Sequence, residues 1–154
     1  MRTTLYGYIE EMDFWKDPVR SQVKNHNDQI IQSLRINDEW PPLSREMFSI
    51  TCNPSDEVNR PNLEYSGRII HFGANLKSVE YELGEWIEKF EGLLLKLFWL
   101  ESKVHFQTEY CELQTLNWRV DLNKYKIRHD ENFPDKVNKT QWNFMSTWKV
   151  DENE

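Results

Sequence analysis

Cysteine is scarce: Cys52 and Cys111 are the only two in 154 residues. They form no CxxC pair and no Cys/His run, which excludes zinc-finger spacing and a disulfide framework. Two free thiols in a reducing compartment are expected. Glycine is scarce as well, at five scattered positions. No GxGxxG or Walker-type phosphate loop occurs, and HExxH and GxSxG are missing too. No cofactor, no metal and no catalytic residue is therefore expected. Long apolar runs are also lacking. The longest, residues 93–100, is interrupted by Lys96 and falls far short of the roughly 20 residues that span a bilayer. Met1-Arg2-Thr3-Thr4-Leu5-Tyr6 contains no apolar signal region, so a cytoplasmic protein without a membrane partner is expected. Positive charge is in deficit, with 19 Lys and Arg against 26 Asp and Glu, a net charge of −7. Such a surface opposes nucleic-acid binding, which needs clustered cations, and favours a basic protein partner.

What the chain has in quantity is aromatic residues: seven Trp, eight Phe and six Tyr. Each ring can bury about 150–250 Å². A single domain over residues 1–154 thus has ample core material, with a very polar remainder of 29% charged residues. Leu5, Gly7 and Ile9 alternate with Thr4, Tyr6 and Tyr8, which predicts a first strand. Asp17-Pro18 reads as a helix start, Asp as N-cap and Pro at the first helical position. Val19, Val23, Asn27, Ile30, Ile31 and Leu34 make its buried stripe, and Trp40-Pro41-Pro42 requires it to end near Asn37. Strands are predicted at 46–52 and 65–72, separated by a polar loop at 55–63, with Gly73-Ala74-Asn75 as a turn.

The strongest pattern covers residues 78–121. Val79, Leu83, Trp86, Ile87, Phe90, Leu94, Leu97 and Phe98 recur at helical spacing and predict a helix over 78–99. Val104, Phe106, Thr108 and Tyr110 then alternate at strand spacing. Pairing Phe106 with Trp118, Val104 with Val120 and Thr108 with Leu116 brings apolar positions together and leaves Cys111-Glu112-Leu113 as the loop. Residues 123–139 read as irregular. Trp142, Phe144, Trp148 and Val150 favour a last strand by alternation, although Val137, Phe144, Met145 and Trp148 also fit a helix. The order β-α-β-β-α-β-β plus a C-terminal strand implies a two-layer α+β fold, an antiparallel-rich sheet with two main helices on one face.

This register sets His105 beside Arg119, Gln107 beside Asn117 and Glu109 beside Thr115, a polar row that is either a ligand surface or an ordinary solvent face. His26, His71, His105 and His129 share no metal-ligand spacing. Glu80, Glu82, Glu85, Glu88 and Glu91 make the second helix acidic, with Glu85 and Lys89 as an i,i+4 pair. Trp40, between acids and rigid prolines, is either an interface anchor or a plug in the core.

The segments Trp40-Pro41-Pro42-Leu43-Ser44, Glu82-Leu83-Gly84-Glu85-Trp86-Ile87-Glu88-Lys89-Phe90 and Val104-His105-Phe106-Gln107-Thr108-Glu109 give the chain a general character. In it the chain resembles the small bacterial immunity proteins that neutralise polymorphic toxins. The resemblance implies a non-enzymatic, cytoplasmic binder whose acidic and aromatic surface occludes a basic toxin domain; independently of it, the chain is either a monomer or a homodimer joined through the aromatic C-terminal strand. The resemblance carries over no individual residues; the sequence pattern itself offers Trp40, Glu82, Glu85, His105, Gln107, Glu109, Asn117 and Arg119 as candidate binding residues. The alternative is an enzyme or small-ligand-binding protein that uses the hairpin face around His105 and Arg119.

Overall fold

The computed structural model describes residues 2–50, 68–109 and 112–147. Six strands form one antiparallel sheet. They are β1 (Arg2–Glu11), β2 (Phe48–Ile50), β3 (Ile69–Lys77), β4 (Trp99–Thr108), β5 (Gln114–Val120) and β6 (Trp142–Ser146). Their spatial order is β2-β3-β1-β4-β5-β6, with every pairing antiparallel. Helices α1 (Val19–Gln32) and α2 (Leu83–Leu94) complete the α+β fold that the element order predicts.

Alternation along β1 decides which face is the core. Thr3, Leu5, Ile9 and Glu11 are buried, whereas Thr4, Tyr6, Tyr8 and Glu10 point the other way. Both helices cover the Leu5 side. Phe90 of α2 sits 5.3 Å from Phe72 of β3 and 4.9 Å from Trp118 of β5, ring centre to ring centre. It also stacks on Trp86 at 5.1 Å. Helix α1 turns Val19, Val23, Asn27 and Ile31 inward. Gly7 lies where β1 passes between β3 and β4. A Cβ there would stand 2.0 Å from the Lys103 carbonyl oxygen and 2.8 Å from Phe72, so only glycine lets the strands approach this closely.

Where the two layers meet, a polar cluster is buried. The Arg68 guanidinium donates from Nη2 to Glu11 Oε2 at 2.6 Å and from Nε to Glu11 Oε1 at 3.0 Å. It also pairs with Asp28 at 2.8 Å. The Asn27 side-chain amide donates to Glu11 Oε2 at 3.0 Å and to the Phe98 carbonyl at 3.1 Å, and its Oδ1 accepts from the Phe98 N–H at 2.9 Å. Burial works against the Arg68 charge, yet the hydrogen bonds and charges of Glu11, then of Asp28, outweigh it and hold the pKa above its usual value.

Several local expectations are corrected. Gly73-Ala74-Asn75 is no turn: these residues pair with Tyr6, Leu5 and Thr4 inside β3. That strand runs on to Lys77 because central β1 offers a partner along its whole length. β2 begins only at Phe48, after a 3-10 turn at Arg45–Met47. Position 52, and with it both cysteines, lies outside the described residues, as do the loop expected at 55–63, Tyr110, Trp148 and Val150. Helix α1 starts at Val19 with Pro18 in the cap position; Asp17 still accepts hydrogen bonds from the Ser21 N–H and hydroxyl. It ends at Gln32, short of Asn37.

The predicted helix over 78–99 divides into a 3-10 turn at Val79–Glu82, α2, and a turn that leads into β4 at Trp99. Leu93, Leu94, Leu97, Phe98 and Trp99 are all buried, so their continuous apolar run carries no period to mark the exit. The backbone of Phe98 leaves the helix because Asn27 and Met12 supply its hydrogen bonds. The hairpin register differs from the expected one by four residues along β5. Val104 faces Leu116, Ser102 faces Trp118 and Phe106 faces Gln114. Each side chain keeps its predicted face, because an even shift preserves alternation. The choice between the two registers falls to Trp118, which packs 4.9 Å from both Phe90 and Phe144 and donates from Nε1 to Glu91 at 3.3 Å. The C-terminal segment is strand: β6 pairs with β5 from Trp142 to Ser146.

Replacing Arg68 with Met strands a buried Glu11 carboxylate and should cost about 3–5 kcal/mol in urea unfolding. Adding Glu11→Gln should recover part of that loss, since no bare charge then remains at that position. Gly7→Ala should cost about 1–3 kcal/mol by overpacking, read in the same unfolding assay.

Candidate functional site

The outward face of the sheet can be written as rows across the strands. Gly73, Tyr6, His105 and Thr115 form one row; His71, Tyr8, Lys103, Asn117 and Met145 form the next. Ile69, Glu10, Glu101, Arg119 and Asn143 form the third. His105 is held in place, with Nδ1 2.9 Å from the Thr115 hydroxyl and its ring 5.2 Å from that of Tyr6. Glu101 gathers the charges. It accepts from the Tyr8 hydroxyl at 3.2 Å and lies 3.6 Å from Lys103 Nζ and 3.9 Å from Arg119 Nε.

This arrangement corrects the expected polar row. His105 faces Thr115 instead of Arg119, and Asn117 faces Lys103 instead of Gln107. Arg119, opposite Glu101, is four positions along the strand from Thr115, roughly 13 Å. Gln107 lies beside Thr4, past the last β5 partner, and Glu109 is exposed beyond the end of β4. His105 and Arg119 therefore do not converge on one ligand. Glu101 and Tyr8 escaped the sequence reading because their meeting depends on β1 lying beside β4, which no local pattern encodes.

Trp40, Glu82 and Glu85 sit on the opposite, helical side of the molecule, so the expected binding residues divide between two surfaces. Helix α2 is less uniformly acidic at its surface than its composition suggests. Glu80 accepts the Thr3 hydroxyl and Glu91 accepts the Trp118 indole N–H. Glu82 is half-buried, while Glu85 and Glu88 are exposed. Lys89 does not pair with Glu85. It donates to Asp38 at 3.0 Å and to the Glu39 carbonyl at 2.8 Å, because the loop after α1 folds onto this helix.

That loop is pinned at several points. Asp38 accepts the Leu43 N–H at 2.9 Å, and the buried Trp86 donates from Nε1 to the Pro42 carbonyl at 3.1 Å. Pro41 is buried, yet Trp40 stays 48% exposed. The core-plug reading of Trp40 is thereby excluded. Tyr81, just ahead of α2, is 76% exposed. An indole with fixed flanks loses little entropy on contact, which is the property of an interface anchor. Burial opposes ionisation of Asp38, but the Leu43 N–H and the Lys89 ammonium outweigh it and hold the carboxyl below its usual range.

Among the described residues, no group of three or more His, Cys, Asp or Glu side chains is arranged to hold a metal ion. No helix among them is long and apolar enough to cross a membrane.

A carboxyl whose pKa is lower in the folded state stabilises the fold at neutral pH, and that stabilisation fades as pH falls below about 4. Asp38→Asn should therefore destabilise the protein at pH 7 and flatten the acid limb of its stability curve, as measured by thermal unfolding at stepped pH.

Comparison with protein-family models, with curated proteins and with solved structures gave no match.

Proposed function

We propose that the protein is a non-catalytic binding module that docks a basic protein surface through its helical layer, in the manner of an immunity protein occluding a toxin domain. The observation that carries this reading is Trp40, half-exposed on a loop whose backbone is tied to α2 on either side. Exposed Glu85 and Glu88 on that helix add a negative field of the sign that steers a cationic partner. The net charge of −7 acts in the same direction. Tryptophan is among the residues that most often dominate interface energetics, and truncating such an anchor costs about 2 kcal/mol or more.

The open sheet face serves as the internal control, since His105 is already engaged by Thr115 and Tyr6. Matched affinity captures from native cytoplasm, quantified by mass spectrometry, should compare wild type with Trp40→Ala, Glu85→Lys/Glu88→Lys and His105→Ala. The expected result is one stoichiometric basic protein that is retained by wild type and His105→Ala. Trp40→Ala should reduce it more than about tenfold, and the charge reversal should reduce it most at low salt. Retention of that protein by Trp40→Ala, or its loss with His105→Ala alone, would place the binding surface elsewhere.

A further inference from the structure

Residues at the C-terminal ends of α1 and α2, with the loop that follows α1, line an open trough of about 390 Å³. Its apolar lining comes from Ile30 of α1, Leu34 just past that helix, Leu43 of the following loop and Leu93 of α2. Leu43 and Leu93 are core residues, while Ile30 and Leu34 remain half-buried. Gly92 lies on the α2 wall, and a Cβ placed there would meet nothing within 4 Å. The α2 wall at this point borders open space.

Charge at this trough runs against the rest of the molecule. Arg35, Lys89 and Lys96 line it together with one carboxylate, Asp38, and Lys89 already neutralises Asp38 at 3.0 Å. Arg35 and Lys96 are exposed, and among the described residues neither side chain has an ion-pair or hydrogen-bond partner. Two uncompensated cations stand here in a chain with seven more acidic than basic side chains. Each lies just past a helix end, where a cation complements the helix dipole. That role calls for neither the apolar trough between them nor the gap at Gly92.

We infer that this trough binds a small amphiphilic carboxylate. Its acyl or aryl body lies on Ile30, Leu34 and Leu93, and its carboxylate is held by Arg35 and Lys96. The guanidinium supplies a planar donor pair suited to a carboxylate, and the ammonium adds a point charge. Apolar burial and charge-assisted hydrogen bonds then act on opposite ends of one molecule, which fixes its orientation.

The test is a methyl NMR titration of the full chain with octanoate and, separately, with 1-octanol. Octanoate should produce saturable shifts confined to Ile30, Leu34, Leu43 and Leu93, with Kd near or below about 1 mM, and octanol should bind at least about tenfold more weakly. Arg35→Gln/Lys96→Gln should weaken octanoate binding by about tenfold or more. Gly92→Leu should block it while the unfolding temperature holds or rises, because the helix gains a better former. The inference is overturned if octanol titrates as octanoate does, or if both variants bind normally. It is equally overturned if the double variant lowers only the unfolding temperature while octanoate never shifts the trough. Saturating shifts from a glutamate-rich amphipathic peptide with none from octanoate would assign the trough to a protein segment instead.

Discussion

The buried contact between Glu11 and Arg68 is the constraint on which the two-layer arrangement depends. Glu11 ends the central strand, Arg68 stands at the start of β3, and Asn27 brings α1 to both. Through Asn27 the same cluster reaches the backbone of Phe98, where the chain leaves α2 and enters β4. One ion pair with its attendant amide thus joins the sheet, the first helix and the turn between the second helix and its strand. Both partners are nearly inaccessible, at 3% and 5% exposure. Charges so far from water persist only when their hydrogen-bonding capacity is met, and here the fork of the guanidinium meets both carboxylate oxygens.

Around that cluster the aromatic residues do the packing. Trp86, Phe90, Phe72, Trp118 and Phe144 form a chain of ring contacts from α2 across β3 to β5 and β6. The outward sheet face carries the charge cluster around Glu101 together with the exposed side chains of Tyr6, Ile69 and Met145. The helical side carries half-exposed Trp40 on a loop tied to α2, exposed glutamates on α2, and an apolar trough edged by Arg35 and Lys96.

Much of the fold was legible from period alone. Alternation in β1, β4, β5 and β6 assigns each side chain to its face, and the stripe expected for α1 contains its four buried residues, Val19, Val23, Asn27 and Ile31, although Ile30 is half-buried and Leu34 lies past the helix end. Errors arose where a local pattern is silent or shared. Gly73-Ala74-Asn75 has turn composition, but β1 supplies hydrogen bonds along that stretch, and ladder pairing overrode composition. The apolar stretch from Leu93 to Trp99 is compatible with helix and with buried strand, and only Asn27 and Met12, distant in sequence, decide where it changes. Of the candidate site, the exposure of Glu85, Gln107 and Arg119 was readable. The partners of Trp40, Lys89 and His105 were not.

By itself, then, the sequence determined the α+β class, the order of elements, the face on which each strand residue lies, and the acidic, aromatic character of the molecule. These follow from side-chain period and hydrophobicity, which act within a few residues of one another. Tertiary structure alone decided the hairpin register, the diversion of Lys89 from Glu85 to Asp38, the exposure of Trp40 and the separation of His105 from Arg119. A strand can slide by an even number of residues, here four, without exposing its apolar face, and a lysine can choose among several acids. Such choices are settled only when distant segments pack and one arrangement buries Trp118 and satisfies its indole N–H.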